Sequence, residues 1–531
     1  MRSPLRNASS LDATLIYSTA VVLALYIIIT IATFQRIPPL PTVEDFLLPN
    51  QYRNIIPSVS TSIESVPEFP EETFPQSILD VPMETILHPA VEIIPDLKIP
   101  NLTVPAFYDP PQFQKYNGVR SYLGNNGESL MTLEQAQNIG SKVNGLETIF
   151  VAIASYRDFQ CRQTVESIFT RATHPERIRV AVVDQIDKDA DVPCSKPEDS
   201  CESDPNQVLC KYKKQIDFYT MEAQFAMGPV FARHLGNRMY RGEYFAIQCD
   251  AHVDFVLDWD SSIIKQWKSA NNEMSVLTAY LSDVHGSIDA EGHLLRMTRP
   301  IMCNSDFEDQ GLKRHLRHGQ QPEGPSGIHG EPTLEPYWAA GFSFSRGHFI
   351  VNVPYDQHLP WVFQGEEISI GLRGFTYGYD YYTPETSPCF HYYAGQDTTG
   401  KRNKVKLFWE NTKSFGREHI QKVELDAFLR LNGIIHMNPP SVKEDRWIHV
   451  DEKKYGIGKV RTPQKFVDTF GIDLKNHKVE QHLCKFVGKN MHLIWKQHLR
   501  EDTMGIDYDK ITYRFKDPDE YGITWKNLLP H

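Results

Sequence analysis

The feature that most constrains this chain is Thr14–Phe34, 21 consecutive residues without a charge (TLIYSTAVVLALYIIITIATF). A helix of that length reaches roughly 30 Å, the thickness of a bilayer's hydrocarbon core. A cleaved leader has a shorter apolar stretch and a small-residue cleavage site. Here Gln35, Arg36 and Ile37-Pro38-Pro39 follow instead. The run is therefore expected to be one transmembrane helix (14–34) behind a short cytoplasmic tail (1–13). Arg2 and Arg6, offset by Asp12, against Arg36 orient it only weakly. The short tail and the large domain behind it favour a type II arrangement with the bulk luminal.

The segment beyond the span reads as a stem (35–145). Ile37–Pro111 holds 15 of the 35 prolines, and 11 Asp and Glu against Arg53 and Lys98 alone. Proline removes helix hydrogen bonds and the acids repel, so an extended, poorly packed segment is expected. Small apolar clusters such as Ile93-Ile94 and Leu97 offer points of docking onto the globular part. This stretch carries −9 of the net charge of −12. The rest is nearly balanced, and no basic face argues for nucleic-acid binding. Asn101-Leu102-Thr103 is a glycosylation sequon usable on a luminal side, whereas Asn7-Ala8-Ser9 would be cytoplasmic and silent.

All eight cysteines lie beyond the span. An even number in an oxidising lumen suits disulfides. Cys194, Cys201 and Cys210 share a polar loop and are expected to pair among themselves or with Cys161. A zinc cluster is the alternative, without the short Cys spacing of a zinc knuckle.

The globular part opens as a β-α-β unit. Glu147–Ala154 (ETIFVAIA) is a continuous apolar run, as in a buried parallel strand. Ser155-Tyr156-Arg157-Asp158 reads as a polar turn, Cys161–Arg171 as a helix, and Arg177–Val183 as a second strand ending at Asp184. Ligands in such sheets bind beyond the carboxyl ends of the strands. Ser155, Arg157 and Asp184 are thereby placed on one edge. Arg157 suits a phosphate or a carboxylate partner, and Asp184 a ribose or a base N–H; all three also fit as plain turn residues.

The next unit is a helix over Gly228–Arg241 and a strand over Tyr244–Gln248, leaving the sheet at Cys249-Asp250-Ala251-His252. Asp250 and His252, two apart at a strand end, can converge on a divalent ion, and O/N ligation suits Mn²⁺ better than Mg²⁺. His391, in the aromatic segment Pro388–Tyr393, is the candidate third ligand. Between them, Trp338 in the segment Glu335–Ser345 suits stacking on a sugar or packing in the core. Glu366 and Glu367 open a helix, where they complement its dipole or hold a sugar hydroxyl and stabilise positive charge at an anomeric carbon.

In order, Ile153–Asp158, Tyr240–Tyr244 leading to Asp250-Ala251-His252, Trp338–Ser345, Gly365-Glu366-Glu367, Tyr455–Gly458 and Arg461-Thr462 resemble a glycosyltransferase of GT-A fold. The pattern is similar to glycosyltransferase family 60, the protein α-N-acetylglucosaminyltransferases, over about residues 146–475. That family is distantly similar to polypeptide GalNAc-transferases, whose W-G-G-E-N segment Phe363–Glu367 partly matches; Phe363, Gln364 and Glu367 depart from it. The resemblance implies a nucleotide-sugar-binding, Rossmann-like mixed sheet with flanking helices (146–400) and a C-terminal extension (401–531). No C-terminal lectin repeat is apparent.

The resemblance further implies that Asp250, His252 and His391 bind Mn²⁺ (or Mg²⁺). Ser155, Arg157, Asp184, Arg233, Asp250 and Trp338 would then bind the nucleotide sugar, with Glu366 and Glu367 at the reacting carbon. The implied activity is GlcNAc transfer from UDP-GlcNAc to a Ser, Thr or hydroxyproline hydroxyl of a protein acceptor, with retention, in the Golgi or endoplasmic reticulum. The basic run Lys401–Lys406 suits either a loop closing over the diphosphate or a solvated loop. Another UDP-sugar, a glycan acceptor, or a catalytically dead luminal sugar-binding protein are the alternatives.

Overall fold

The computed structural model describes residues 91–93, 102–108, 114–116, 119–121, 129–296, 298–318, 323–325, 330–393, 405–411, 413–480 and 490–511. All lie within the unit Ser77–His531. The apolar run 14–34, both sequon asparagines and Lys401–Lys404 fall outside the described residues. Among the described residues, no helix is long and apolar enough to cross a membrane.

Strands β1 (Val91–Ile93) and β2 (Thr103–Pro105) pair antiparallel. The body proper then runs β3 (Ile149–Tyr156), α1 (Cys161–Thr170), β4 (Ile178–Ile186) and β5 (Ile216–Glu222). It continues through α2 (Pro229–Arg238), β6 (Phe245–Asp250), β7 (Val253–Phe255), α3 (Trp259–Ser269) and β8 (Ser275–Thr278). Next come β9 (Thr333–Glu335), β10 (Phe342–Arg346), α4 (Glu366–Thr376), β11 (Asp380–Thr383), β12 (Cys389–His391) and α5 (Arg417–Ile434). Eight strands form one mixed sheet in the order β9-β11-β8-β10-β6-β3-β4-β5. Strands β6, β3, β4 and β5 are mutually parallel, and β10 runs antiparallel between β6 and β8. The expected mixed α/β sheet is thus present.

Side chains alternate across a strand with period two, and this sheet is packed on both faces. Ile149, Val151 and Ile153 of β3, with Ile178, Val180 and Val182 of β4, enter a core with Val165 and Ile168 of α1. Phe150 and Ala152, with Ala181 and Val183, enter a second core with Phe231 and Leu235 of α2. Parity therefore decides which residue at a strand's end faces which layer. Both strands run two or three residues past the ends read from the sequence, because strand pairing extends through Tyr156↔Gln185. Ser155 and Asp184 are strand residues rather than turn residues.

One expected boundary shifts. Leu102 and Val104 are buried in the second core, so the stem's last part belongs to the body. Beyond residue 400, Phe408 joins that core, and Phe428 and Leu431 of α5 join the first. The C-terminal extension is continuous with the sheet domain.

Disulfides link Cys161 to Cys194 and Cys201 to Cys210, resolving the alternatives for the polar loop. Cys303 is also disulfide-bonded. Cys249 and Cys389 are buried free thiols, and burial pushes both thiols up. Among the described residues, neither group with metal-ligand spacing contains a cysteine.

Candidate active site

The carboxyl ends of β3, β4 and β6 open into a cleft of about 460 Å³, walled by α2 on one side and by the start of α4 on another. Asp250 ends β6 on the α2 side of the sheet, and His252 follows two residues on. His391 arrives from far along the chain because β12 pairs antiparallel with β7, placing Val253 opposite His391. The amide of Tyr392 donates to the carbonyl of His252 at 2.9 Å, closing that ladder.

The three side chains converge. His252 Nε2 lies 2.9 Å from His391 Nε2, and His391 Nε2 lies 3.6 Å from Asp250 Oδ2. On its other side, His252 Nδ1 is 2.5 Å from Asp158 Oδ2. A carboxylate accepting from Nδ1–H leaves Nε2 with its lone pair toward the cleft, the usual support for a metal-binding imidazole. Two imidazole nitrogens and a carboxylate fit a divalent ion that takes mixed N/O ligands. Asp158 belongs to the Ser155–Asp158 segment but was not expected to act; its place just after a strand end, within reach of a D-x-H, is the signal for it.

Asp250 is held from two further sides. Its amide donates to the carbonyl of Gly341 at 3.1 Å, and a Cβ on Gly341 would stand 3.0 Å from Oδ2. Glycine leaves that carboxylate its space. Arg233 of α2 donates from Nη2 to Asp250 Oδ1 at 2.7 Å and from Nη1 to Glu366 Oε1 at 2.6 Å. Gly365, at φ +100°, turns the chain so that Glu366 begins α4 at the cleft.

Burial pushes the Glu366 carboxyl up to about 7, with Arg233 pulling it back and Glu367 adding repulsion. Burial opposes the charge on Arg233 too, yet Glu366 and Asp250 outweigh it and hold the guanidinium well above its usual range. The two partners shift the same way because Arg233 sits between two acids, whereas Glu366 is buried and faces other acids. Among the described residues, Glu366 Oε2 is buried without a hydrogen-bond partner, so it can accept from a ligand hydroxyl. Glu367 also lines the cleft.

Other expected site residues fall elsewhere. Trp338 is 2% exposed within the first core. Its ring packs on Tyr355, with centroids 6.4 Å apart, so it is a packing residue and not a sugar platform. Ser155 and Asp184 have the parity that faces α1. Asp184 is 2% exposed and accepts from the Cys194 amide at 2.8 Å; burial raises its carboxyl, partly offset by that bond. Arg157 turns aside at φ 51° and makes a two-point pair with Asp191, at 2.7 and 3.0 Å. The carboxylate it was expected to suit is thus Asp191. Asp250, His252, His391, Arg233, Glu366 and Glu367 are brought together in the cleft; Ser155, Arg157, Asp184 and Trp338 are not.

The cleft has walls that sequence reasoning did not assign: Tyr156, Gln185, Tyr280 and Tyr393, with an aromatic lip of Phe363, Phe408 and Trp409. The Phe408 and Trp409 rings lie 4.8 Å apart, and those of Phe363 and Trp409 5.8 Å apart. Phe363 and Trp409 are half exposed. In the sequence the lip shows only as the short apolar triplets Trp361-Val362-Phe363 and Leu407-Phe408-Trp409.

No curated protein matches the chain. Among solved structures, it is similar to GalNAc-T7 crystallised with UDP, GalNAc and Mn²⁺, at 12% identity and a TM-score of 0.41 over 74% of each chain. It is also similar to Staphylococcus aureus TarS 1–349 in complex with UDP-GlcNAc, at 10% identity and a TM-score of 0.29, over 54% of this chain and 72% of that one. The sequence profile named glycosyltransferase (GlcNAc) matches residues 148–476, from the first long strand past α5. The chain belongs to the GlcNAc glycosyltransferase family and is a glycosyltransferase.

Proposed function

We propose that this protein transfers GlcNAc from UDP-GlcNAc to a Ser, Thr or hydroxyproline hydroxyl of a polypeptide, on a GT-A-type sheet, with Mn²⁺ as its ion and with retention of configuration. The observation that carries the reading is the convergence of Asp250, His252 and His391 beside the Arg233–Glu366 pair in one cleft. Asp250, His252 and His391 would hold the ion. When bound, it supplies Lewis-acid neutralisation of charge developing on a leaving diphosphate.

The chain's own groups account for the rest. Asp158 fixes the orientation of His252 through Nδ1. Arg233, charged and buried, adds positive potential beside the leaving group while keeping Asp250 and Glu366 apart. Glu366 offers Oε2 to a sugar hydroxyl and, with Glu367, negative charge toward an oxocarbenium-like carbon. In a retaining transfer the acceptor attacks on the face from which the diphosphate departs, so that the departing phosphate takes the acceptor's proton. The aromatic lip of Phe363 and Trp409 borders the open side, where a polypeptide acceptor would lie.

We also propose that Thr14–Phe34 anchors the enzyme and that the catalytic body is luminal, in the Golgi or endoplasmic reticulum. The disulfides of the body, Cys161–Cys194 and Cys201–Cys210 among them, support an oxidising compartment. The test is turnover of UDP-GlcNAc by the full chain with Ser, Thr and hydroxyproline peptides, with and without Mn²⁺. Turnover that needs Mn²⁺ and disappears in Asp250→Asn is expected. Absence of turnover with any UDP-sugar would overturn the donor assignment, and wild-type turnover by Asp250→Asn would overturn the ion site.

A further inference from the structure

Tyr455–Arg461, part of the ordered pattern read from the sequence, is not among the residues that wall the cleft. It wraps instead around the far end of α4, the helix that opens with Glu366 and Glu367. The Gly458 amide donates to Thr376 Oγ1 at 2.8 Å. The amides of Val460 and Arg461 both donate to the Thr376 carbonyl, at 3.0 and 3.1 Å. In return, Arg373 of α4 donates from Nε to the Gly456 carbonyl at 3.2 Å. The approach is close: a Cβ on Gly458 would stand 2.6 Å from the Thr376 carbonyl oxygen. The last carbonyls of a helix have no partner within it, and here the C-terminal extension supplies one.

Arg461 completes the brace. Its side chain is 7% exposed. Nη1 donates to the Tyr379 carbonyl at 2.9 Å and to the Phe375 carbonyl at 3.4 Å. Nη2 donates to the Ile506 carbonyl at 2.9 Å and pairs with Asp380 Oδ1 at 2.8 Å. The guanidinium carbon lies 4.8 Å from the centre of the Phe375 ring and 4.4 Å from that of Tyr508. One planar cation thereby joins the end of α4, the start of β11 and the C-terminal extension. Its charge also suits the negative end of a helix dipole.

Helix α4 has 11 residues, so its ends lie roughly 15 Å apart. A helix this short moves as one rod, and a shift at Thr376 is carried to Glu366. Misplacing a group at a reacting centre by about 1 Å can cost roughly 100-fold in rate. We propose that Arg461 is a positioning residue for Glu366 and Glu367, and that bracing α4 from behind is a task of the C-terminal extension. This rests on the reading that both acids face the donor's sugar. The proposed ion ligands depend on other elements: Asp250 and His391 lie on β6 and β12, and His252 just past β6.

The test is turnover of UDP-GlcNAc by the full chain with Mn²⁺ and Ser, Thr and hydroxyproline peptides, beside calorimetric binding of UDP and of UDP-GlcNAc. The variants are Arg461→Lys, Glu366→Gln and the two combined, each assayed where circular dichroism shows it folded. Lysine keeps the charge and loses the planar fork. Arg461→Lys is expected to lower kcat at least about tenfold, to leave UDP affinity within about twofold, and to weaken UDP-GlcNAc relative to UDP. Sites this far apart ordinarily act independently, so a combined variant no worse than about twofold below the poorer single one would show that Arg461 acts through Glu366. Losses that multiply would overturn the inference, as would a folded Arg461→Lys with a lower melting temperature and an unchanged kcat. If Arg461→Lys does not fold, Thr376→Val, which removes the hydroxyl that accepts from Gly458, is judged by the same criteria. Full turnover by Glu366→Gln would overturn the sugar-facing assignment and the inference with it. An inactive Glu366→Gln beside a fully active Arg461→Lys overturns only the role of Arg461.

Discussion

Replacing Glu366 by Gln should make the protein more stable and less active, and the size of the gain follows from the site. Burial lifts the Glu366 carboxyl from 4.5 to about 7 in the folded protein. Well below pH 4.5 both folded and unfolded chains hold the proton, so the shift has no effect on stability. Between 4.5 and about 7 the unfolded chain releases its proton first, and stability falls as pH rises. Above about 7 the loss is complete. A shift of about 2.5 pH units at about 1.4 kcal/mol each amounts to about 3 kcal/mol. Glutamine resembles the protonated acid and keeps an oxygen for Arg233 Nη1, which now bonds at 2.6 Å. The variant should therefore match wild type near pH 4.5 and exceed it by about 3 kcal/mol at pH 8. The assay is urea unfolding followed by tryptophan fluorescence, with a chelator present, across that range. Turnover should fall about 100-fold or more, since the charge proposed to face the reacting carbon is lost. A stability gap that does not widen with pH, or a variant less stable at pH 8, would refute the reasoning.

Gly341→Ala should raise the Mn²⁺ concentration for half-maximal turnover about tenfold, because the new Cβ would stand 3.0 Å from Asp250 Oδ2. Gly341 is not among the left-handed glycines, so its melting temperature should hold or rise slightly; an unchanged Mn²⁺ requirement would count against Asp250 as a ligand. Cys161→Ser opens a link across a sequence separation of 33 and should cost about 4 kcal/mol in unfolding under non-reducing conditions. Equal stability of that variant and wild type would remove the disulfide's role. Trp338→Phe should lower stability by about 1–2 kcal/mol and leave the donor KM unchanged. A tenfold rise in KM at full stability would return Trp338 to the sugar site.

The sheet and half the site were legible because they depend on local pattern. Apolar runs marked β3, β4 and β6, and a D-x-H after such a run marked Asp250 and His252. The misplacements of Ser155 and Asp184 have one physical origin. Strands were read as ending where apolarity ended, so Ser155 and Asp184 were treated as an edge rather than as alternating side chains. Extending the period of two from Ile153 and Val182 assigns both to the α1 face and assigns Tyr156 and Gln185 to the cleft. Trp338 failed for another reason: residue type does not reveal burial, and a run of small residues suits a core strand as well as a sugar platform.

His391 shows what lies beyond local pattern. Its position depends on the ladder of β7 and β12, whose paired residues Val253 and His391 are far apart in sequence. Nothing near Pro388–Tyr393 specifies that pairing; it depends on contacts between segments far apart in the chain. Arg233 likewise meets Glu366 from a helix far upstream, and each acid it touches belongs to a different wall of the cleft. One guanidinium is thus shared by the proposed ion ligand Asp250 and the acid proposed to face the sugar. Its loss would expose Asp250 and Glu366 to each other in a buried setting, so the cation is part of what allows two acids to share this cleft.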